Sequence, residues 1–334
     1  MDPQRGAITA ALKAARLAPS AHNSQPARFR VDGTTVHLGW DPRRLLPAGD
    51  PHGHYLFAGL GASAESLLLG AAGVGCGAQV AVVAGPSPEE AARIDVSAEP
   101  PRPDDAELAG AVGDRQTTRL PFRPDPVTAD RITAMAAEAE ALGCRLAVVD
   151  GRGAMGRFAG LVAKGTARNF ASADVYEEFF SWLRLRRTHP DHDRDGLSAS
   201  ALSLGRLTAA VAPLGMTPAA MRMFGHARLL GALAGTQRRL ARAAPAACLL
   251  TAPSGDPAGR FTGGRAMLRV WGRASTMDLR VQPMTAAIDH AETRAGLAEL
   301  FGVAADAPMV VCFRLGHGPA GPRSPRLPLS ELLR

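Results

Sequence analysis

Lysine is almost absent from this chain: of 38 basic residues only Lys13 and Lys164 are lysines, and the rest are arginine. Arginine presents a rigid fork of donors suited to carboxylates and phosphates, so a net charge of +7 carried this way points toward anionic ligands. Aromatic residues are also scarce, at 5%, and the two tyrosines, Tyr55 and Tyr176, lie far apart. No Lys/Arg block carries interleaved aromatics, so a stacking platform for bases is missing and nucleic acid is not an expected partner. The four cysteines, Cys76, Cys144, Cys248 and Cys312, stand apart in apolar runs without the spacing of a zinc site or redox pair, and read as buried free thiols. No apolar stretch follows the opening Met-Asp-Pro-Gln-Arg-Gly, so a secretory signal is not expected and the cytoplasm is the expected location.

One span, Leu67 to Gly85, lacks charge and is long enough to cross a membrane. Glycines at 70, 73, 75, 77 and 85, with Gln79 near the centre, instead predict the end of a helix, a turn and a strand over Ala78 to Ala84. No membrane association is expected.

What remains is a chain of 334 residues with 46% hydrophobic content, enough for a large core in two domains or in one domain duplicated. The patterning predicts a helix over Ile8 to Leu17, then two strands within Arg28 to Trp40 joined at Asp32-Gly33, then an apolar helix over Tyr55 to Ala72. Pro86 to Asp114 reads as a proline-rich connector carrying one short helix, Asp104 to Val112. A helix from about Ala129 to Leu142 stops at Gly143, and Cys144 to Val149 has strand character. The order helix, turn, strand in Gly61 to Val80 recurs in Gly264 to Val281, and the unit Ile8 to Leu17 leading to Phe29 recurs as Ile132 to Leu142 leading to Cys144. The halves 1–113 and 114–334 therefore read as an internal duplication, with an insertion at about 169–245. That insertion holds a helical Asp174 to Leu185, the polar turn His189 to Gly196, and Met- and Leu-rich helices. His189, Asp191, His192, Asp193 and Asp195 alternate too closely to converge on an ion and read as a polar surface loop, so no metal is expected.

The densest polar chemistry lies in Ala18-Pro-Ser-Ala-His-Asn-Ser-Gln-Pro26, a stiff loop between a helix and a strand. Pro-Ser-x-x-Asn-x-Gln-Pro resembles the flavin-contacting loop of the nitroreductase family, with Ala27 where members commonly have Trp. Arg115-Gln-Thr-Thr-Arg119 resembles the family's Arg-x-Ser-x-Arg phosphate motif, with Thr117 in the serine position. Arg323-Ser-Pro-Arg326 resembles its basic carboxyl-terminal segment. The order of motifs and the long insertion resemble the Acg-like branch, in which one chain carries two nitroreductase-like halves and a lid.

The resemblance implies an α+β, nitroreductase-like fold, internally duplicated as a pseudo-dimer with a helical insertion. It implies FMN as cofactor, contacted by Pro19, Ser20, Asn23 and Gln25 from one half and by Arg115, Thr117, Arg119, Arg323 and Arg326 from the other. NAD(P)H is the implied electron donor. A small molecule, nitroaromatic or quinone-like, is the implied acceptor, with desaturation of a metabolite as the opposite sense. The alternative is an FMN-binding storage protein with little turnover, in which Phe179, Trp182 and Phe224 fill the nicotinamide space. A catalytically silent scaffold is the third reading. No catalytic side chain is assigned, and the expected assembly is a monomeric pseudo-dimer or a homodimer.

Overall fold

The computed structural model describes all residues except 1, 2, 84, 206, 207 and 209–225. Met216, Met221, Met223 and Phe224 lie outside the described residues. The first half opens with helix α1 (Pro3–Ala15), the hairpin β1 (Ala27–Asp32) and β2 (Thr35–Trp40), and helix α2 (His54–Ala72). Strands β3 (Gly77–Val82) and β4 (Ala92–Ser97) follow, then the short helices α3 (Pro103–Ala109) and α4 (Ala111–Asp114). The second half repeats the plan with α5 (Ala129–Glu140), β5 (Arg145–Asp150) and α6 (Gly151–Ala171). Then come α7 (Ala173–Ser181), the short strands β6 (Leu183–Arg184) and β7 (Leu197–Ser198), and α8 (His226–Arg242). The chain finishes with β8 (Ala246–Thr251), α9 (Pro257–Thr276), β9 (Arg280–Pro283), α10 (Ala291–Phe301), β10 (Met309–Gly316) and α11 (Leu329–Leu332).

Two antiparallel four-stranded sheets result, with orders β1-β2-β4-β3 and β5-β8-β10-β9. Each is the same walk: first strand, second, fourth, third. In each half a helix precedes the first strand and a long helix joins the second strand to the third. The duplication expected from the sequence is thus present in the topology.

The strand at Ala92–Ser97 corrects the reading of Pro86 to Asp114 as connector: flanking prolines masked an alternating strand whose Ala92, Ile94 and Val96 face the core. The same stretch carries two short helices in place of one. The helix expected over Asp174 to Leu185 stops at Ser181, because Leu183 and Arg184 leave it to pair with Leu197 and Ser198. The apolar stretch that drew a membrane comparison belongs to α2, 78% of whose most apolar window is buried, and to strand β3. All four cysteines are buried and free.

The sheets differ in what covers them. The first packs one face on α1 and α2, around Phe29, Leu38, Ile94, Leu60 and Leu67, and its β4 alternates buried with exposed residues accordingly. The second is covered on both faces, by α5 and α9 on one side and by α6 and α10 on the other. Its β8 and β10 are buried along their whole lengths, as apolar runs covered twice must be.

The halves meet where α2 crosses α9. A Cβ on Gly61 would lie 1.9 Å from the Phe261 carbonyl oxygen, and one on Gly264 would lie 1.9 Å from that of Ala58. Each glycine thus meets the residue three positions before the other, the reciprocal relation expected of a pseudo-two-fold axis. Charge closes the same interface. Arg269 on α9, 3% exposed, donates to Glu65 at 2.8 Å, Asp105 at 2.6 Å and Glu138 at 2.8 Å, while Arg265 takes the second Glu65 oxygen at 2.8 Å. Burial alone would lower the Arg269 pKa, but Glu65, Asp105 and Glu138 together hold it above the ordinary arginine value.

Two outcomes follow for stability. Gly61→Ala and Gly264→Ala are each expected to cost about 1–3 kcal/mol or more, by forcing two backbones apart. Gly160→Ala, on an exposed face of α6 with nothing within 4 Å of the new Cβ, is expected to be neutral or to stabilise by up to about 1 kcal/mol. Arg269→Met removes the cation that three buried carboxylates share, leaving Arg265, Arg102 and Arg273 with one each, and is expected to cost about 3 kcal/mol. Urea midpoints of the four variants at neutral pH measure both effects.

Candidate functional site

The polar loop bends in a way L-residues resist. His22 (φ 51°), Asn23 (φ 55°) and Gln25 (φ 51°) all occupy the left-handed region, three of the five non-glycine residues that do so among those described. Such strain persists only where surrounding structure over-determines it. Here the determinants come from far along the chain. Asn23 Nδ2 donates to the carbonyls of Gly196 at 3.2 Å and Pro325 at 3.0 Å, and its Oδ1 accepts from Arg326 at 2.8 Å. Gln25 Nε2 donates to the Arg194 carbonyl at 2.9 Å, and its Oε1 accepts from the Leu327 backbone N–H at 2.8 Å. Ser20 Oγ accepts from the Gln25 N–H at 2.9 Å. The loop is therefore a junction of three segments, with the insertion on one side and the carboxyl-terminal tail on the other.

The insertion holds its side through Asp195, buried in a turn expected from the sequence to be surface, which accepts from Arg44 and Arg184 at 2.9 Å each. Phe179 of α7 meets the His22 ring edge-on at 5.3 Å, and Glu178 accepts from the backbone N–H groups of Ala48 and Gly49 at 2.9 and 2.8 Å.

Against this junction stand two arginines with no acidic partner among the described residues. Arg115, buried, stacks on Trp271 at 4.5 Å and donates to the Leu17 carbonyl at 2.8 Å. Arg326 donates to the same carbonyl at 3.1 Å. The Nε of each is buried and without a hydrogen-bond partner. Burial, then the neighbouring Arg326 charge, pushes Arg115 down to about 9, and burial with Arg16 pushes Arg326 down to about 10. Two desolvated, like-charged guanidiniums with unspent donors are destabilised unless an anion sits between them. A phosphate monoester fits that donor set.

Arg119 lies on the same side, donating to the Ala201 carbonyl at 2.6 Å, and burial pushes it down to about 10. Thr117 forms a bridge with Val281 of β9, which anchors the segment at the edge of the second sheet. Pro19 and Ser20 line a small cleft with Gln25, Gly59 and Ser63. Arg323 is exposed and 3.9 Å from Asp114, apart from Arg115 and Arg326 in its contacts. Sequence reasoning did not single out Arg314, which is 0% exposed. It stacks on Phe122 at 3.9 Å and donates to the carbonyls of Thr118 and Leu120, bracing the Arg115–Arg119 segment from beneath. Its position inside the apolar run of β10 was the signal available.

His22 titrates with the fold. Burial first, then the Arg119 charge, pushes it down to about 4 from 6.5, so the folded state holds it neutral and the unfolded chain protonates it first. The stability it contributes is present above pH 6.5 and lost as pH falls toward 4, by up to about 3 kcal/mol. His22→Asn, which tolerates the same φ, is expected to flatten the urea midpoint over that window relative to wild type.

No protein-family model matches the chain. The chain is 28% identical over 345 aligned positions to the Mycobacterium tuberculosis (strain ATCC 25618 / H37Rv) protein named "Putative NAD(P)H nitroreductase Rv3131", covering 99% of this chain and 92% of that one. It is 36% identical over 121 positions to the acg protein of the same organism, also named as an NAD(P)H nitroreductase, covering 36% and 37% of the two chains. Among solved structures it is similar to the FMN-dependent nitroreductase NfnB of Mycobacterium smegmatis in complex with NADPH, at 20% identity and a TM-score of 0.44 over 69% of this chain and 98% of that one. The chain is thus similar from end to end to a protein named as an NAD(P)H nitroreductase, and its topology is a duplicated α+β one.

Proposed function

We propose that the chain is an FMN-dependent oxidoreductase that moves electrons from NAD(P)H to an oxidised small molecule, nitroaromatic or quinone-like. It would work in the cytoplasm as a pseudo-dimer whose halves, 1–113 and 114–334 with the insertion at about 169–245, build one site. The observation that carries this reading is the pair Arg115, buried, and Arg326, half-buried, each with a buried and unspent Nε donor and no carboxylate partner among the described residues. When bound, FMN supplies the hydride and electron transfer itself.

The chain's residues do the rest. Arg115 and Arg326 hold the phosphate through charge-assisted hydrogen bonds, with Arg119 and the Thr117 hydroxyl beside them. Asn23 acts at one remove: its Oδ1 fixes Arg326, and its Nδ2 fixes the Pro325 carbonyl. Gln25 aligns the tail by accepting from Leu327, and Pro19 and Ser20 present the loop's cleft face to the ligand. Arg323, exposed, draws anions toward the tail without fixing them.

The storage reading keeps one specific support. The insertion meets the loop through Phe179 on His22 and Arg194 on Gln25, and the arginine segment through the Ala201 carbonyl on Arg119, contacts that would restrict entry of a nicotinamide.

An absorption spectrum, followed by anaerobic NADPH and then NADH, separates the readings. Flavin bands that bleach with either nicotinamide are the expected result. Bands bleached by dithionite alone favour storage, and protein that stays colourless after reconstitution with FMN rejects the reading. Arg115→Met and Arg326→Met are each expected to weaken FMN binding by about tenfold to a hundredfold, read by flavin fluorescence titration.

A further inference from the structure

Outside the arginine site, one cluster joins both halves and the start of the insertion. Tyr55 of α2 donates its phenol to Asp289 Oδ1, and its oxygen lies 3.5 Å from the Thr285 carbonyl. Asn169, near the end of α6, donates its Nδ2 to Asp289 Oδ2 at 2.5 Å and accepts at Oδ1 from His290 Nε2 at 2.6 Å. An amide oxygen only accepts, so the His290 proton on this bond resides on Nε2. The carboxylate is thus held on both oxygens, one by a phenol from the first half and one by an amide from the second.

The cluster borders the candidate site on two sides. Tyr55 lies one helical turn, about 6 Å, from Gly59 on the same face of α2. Gly59 faces the Pro19 carbonyl of the polar loop and lines the cleft with Pro19, Ser20 and Gln25. On the other side, Val281 of β9 bridges Thr117, and four residues further, past the end of that strand, the Thr285 carbonyl lies at the Tyr55 oxygen.

The reaction class leaves a proton unaccounted for. Quinone + NAD(P)H + H⁺ gives hydroquinone + NAD(P)⁺: the hydride carries two electrons and one hydrogen, and the second hydrogen must arrive as a proton. We infer that Tyr55 and Asp289 supply that proton, Asn169 positioning the carboxyl group. When Asp289 is protonated the Tyr55–Asp289 bond reverses, Oδ1–H donating to the phenol oxygen and freeing the phenol O–H: that O–H bond then breaks as an O–H bond forms on the acceptor oxygen, the Asp289 proton passes to the Tyr55 oxygen, and Asp289 regains a proton from solvent.

Burial raises the Asp289 pKa, against the lowering by Tyr55, Asn169, His290 and Arg294, which favours the protonated carboxyl this step requires. Asp50, Arg260 and Cys312 are the other titratable groups that face the pair. Burial first, then Asp289, raises Tyr55 well above the ordinary phenol value, so its proton stays in place until the acceptor takes it.

This inference rests on the oxidoreductase reading, and the test keeps the two apart. FMN-loaded wild type, Tyr55→Phe and Asp289→Asn are compared by stopped flow, reduction by NADPH and reoxidation by a quinone being followed separately. Both variants are expected to bind and reduce FMN within about twofold of wild type. Reoxidation is expected to slow by about a hundredfold and to lose its solvent isotope effect. Reoxidation at the wild-type rate in Tyr55→Phe overturns the inference and leaves the reading intact, whereas failure of wild type to take up FMN removes both.

A second readout needs no cofactor. The chain has two tyrosines, and the phenol transition missing from Tyr55→Phe in an ultraviolet pH titration belongs to Tyr55. In Asp289→Asn that transition is expected at lower pH, because the carboxylate charge that raises it is gone. An unmoved transition overturns the pairing.

Discussion

The architecture depends on how closely two helices approach. At the crossing of α2 and α9 each backbone lies against a carbonyl of the other, and no side chain larger than hydrogen fits at Gly61 or Gly264. Everything that joins the halves inherits its spacing from that contact. The buried Arg269 reaches three carboxylates on three helices only because α9 lies so near α2. The tail crosses from the second half to place Leu327 and Leu332 in the first core. The segment at 115–119 meets the first half beside the loop at 18–26, Arg115 donating to the Leu17 carbonyl.

The symmetry of this frame is topological and not chemical. Offset by the same interval that relates Gly61 to Gly264, the partners of Glu65 and Arg269 are Leu268 and Ser66. The two sheets share one order, while the interface between the halves carries an ion network that is not repeated by the pseudo-symmetry. The second sheet gained covering helices on both faces, whereas the first kept a solvent side.

Much of this was legible in the residues. The hairpin at Asp32-Gly33, the apolar α2 and the recurrence of helix, turn and strand all follow local rules of turn chemistry and periodicity. Strand β4 was hidden because prolines on both sides made the segment read as a connector, and the short β6 was hidden because its pairing partner lies beyond an intervening turn. At the site, residue types pointed to Arg115 and Arg326 but not to their separation from Arg323, which depends on where the tail turns. Nor does spacing reveal that Asn23 and Gln25 spend their amides on Pro325, Leu327, Arg194 and Gly196. Those partners are chosen by tertiary contact, as is the pairing of Tyr55 with Asp289 across 234 positions.

The left-handed loop has a consequence for how the molecule is made. Its geometry is held by groups 173 and 303 residues further along the chain. During synthesis from the amino terminus, α1, the first sheet and α2 can assemble early, while His22, Asn23 and Gln25 lack the carbonyls and guanidinium that hold their strained conformations. The loop can settle only after the tail has left the ribosome. On the proposed reading the phosphate site is thereby tied to synthesis as far as Arg326: a ribosome-stalled or truncated product that ends before it can possess a folded first half and still lack the guanidinium that fixes Asn23.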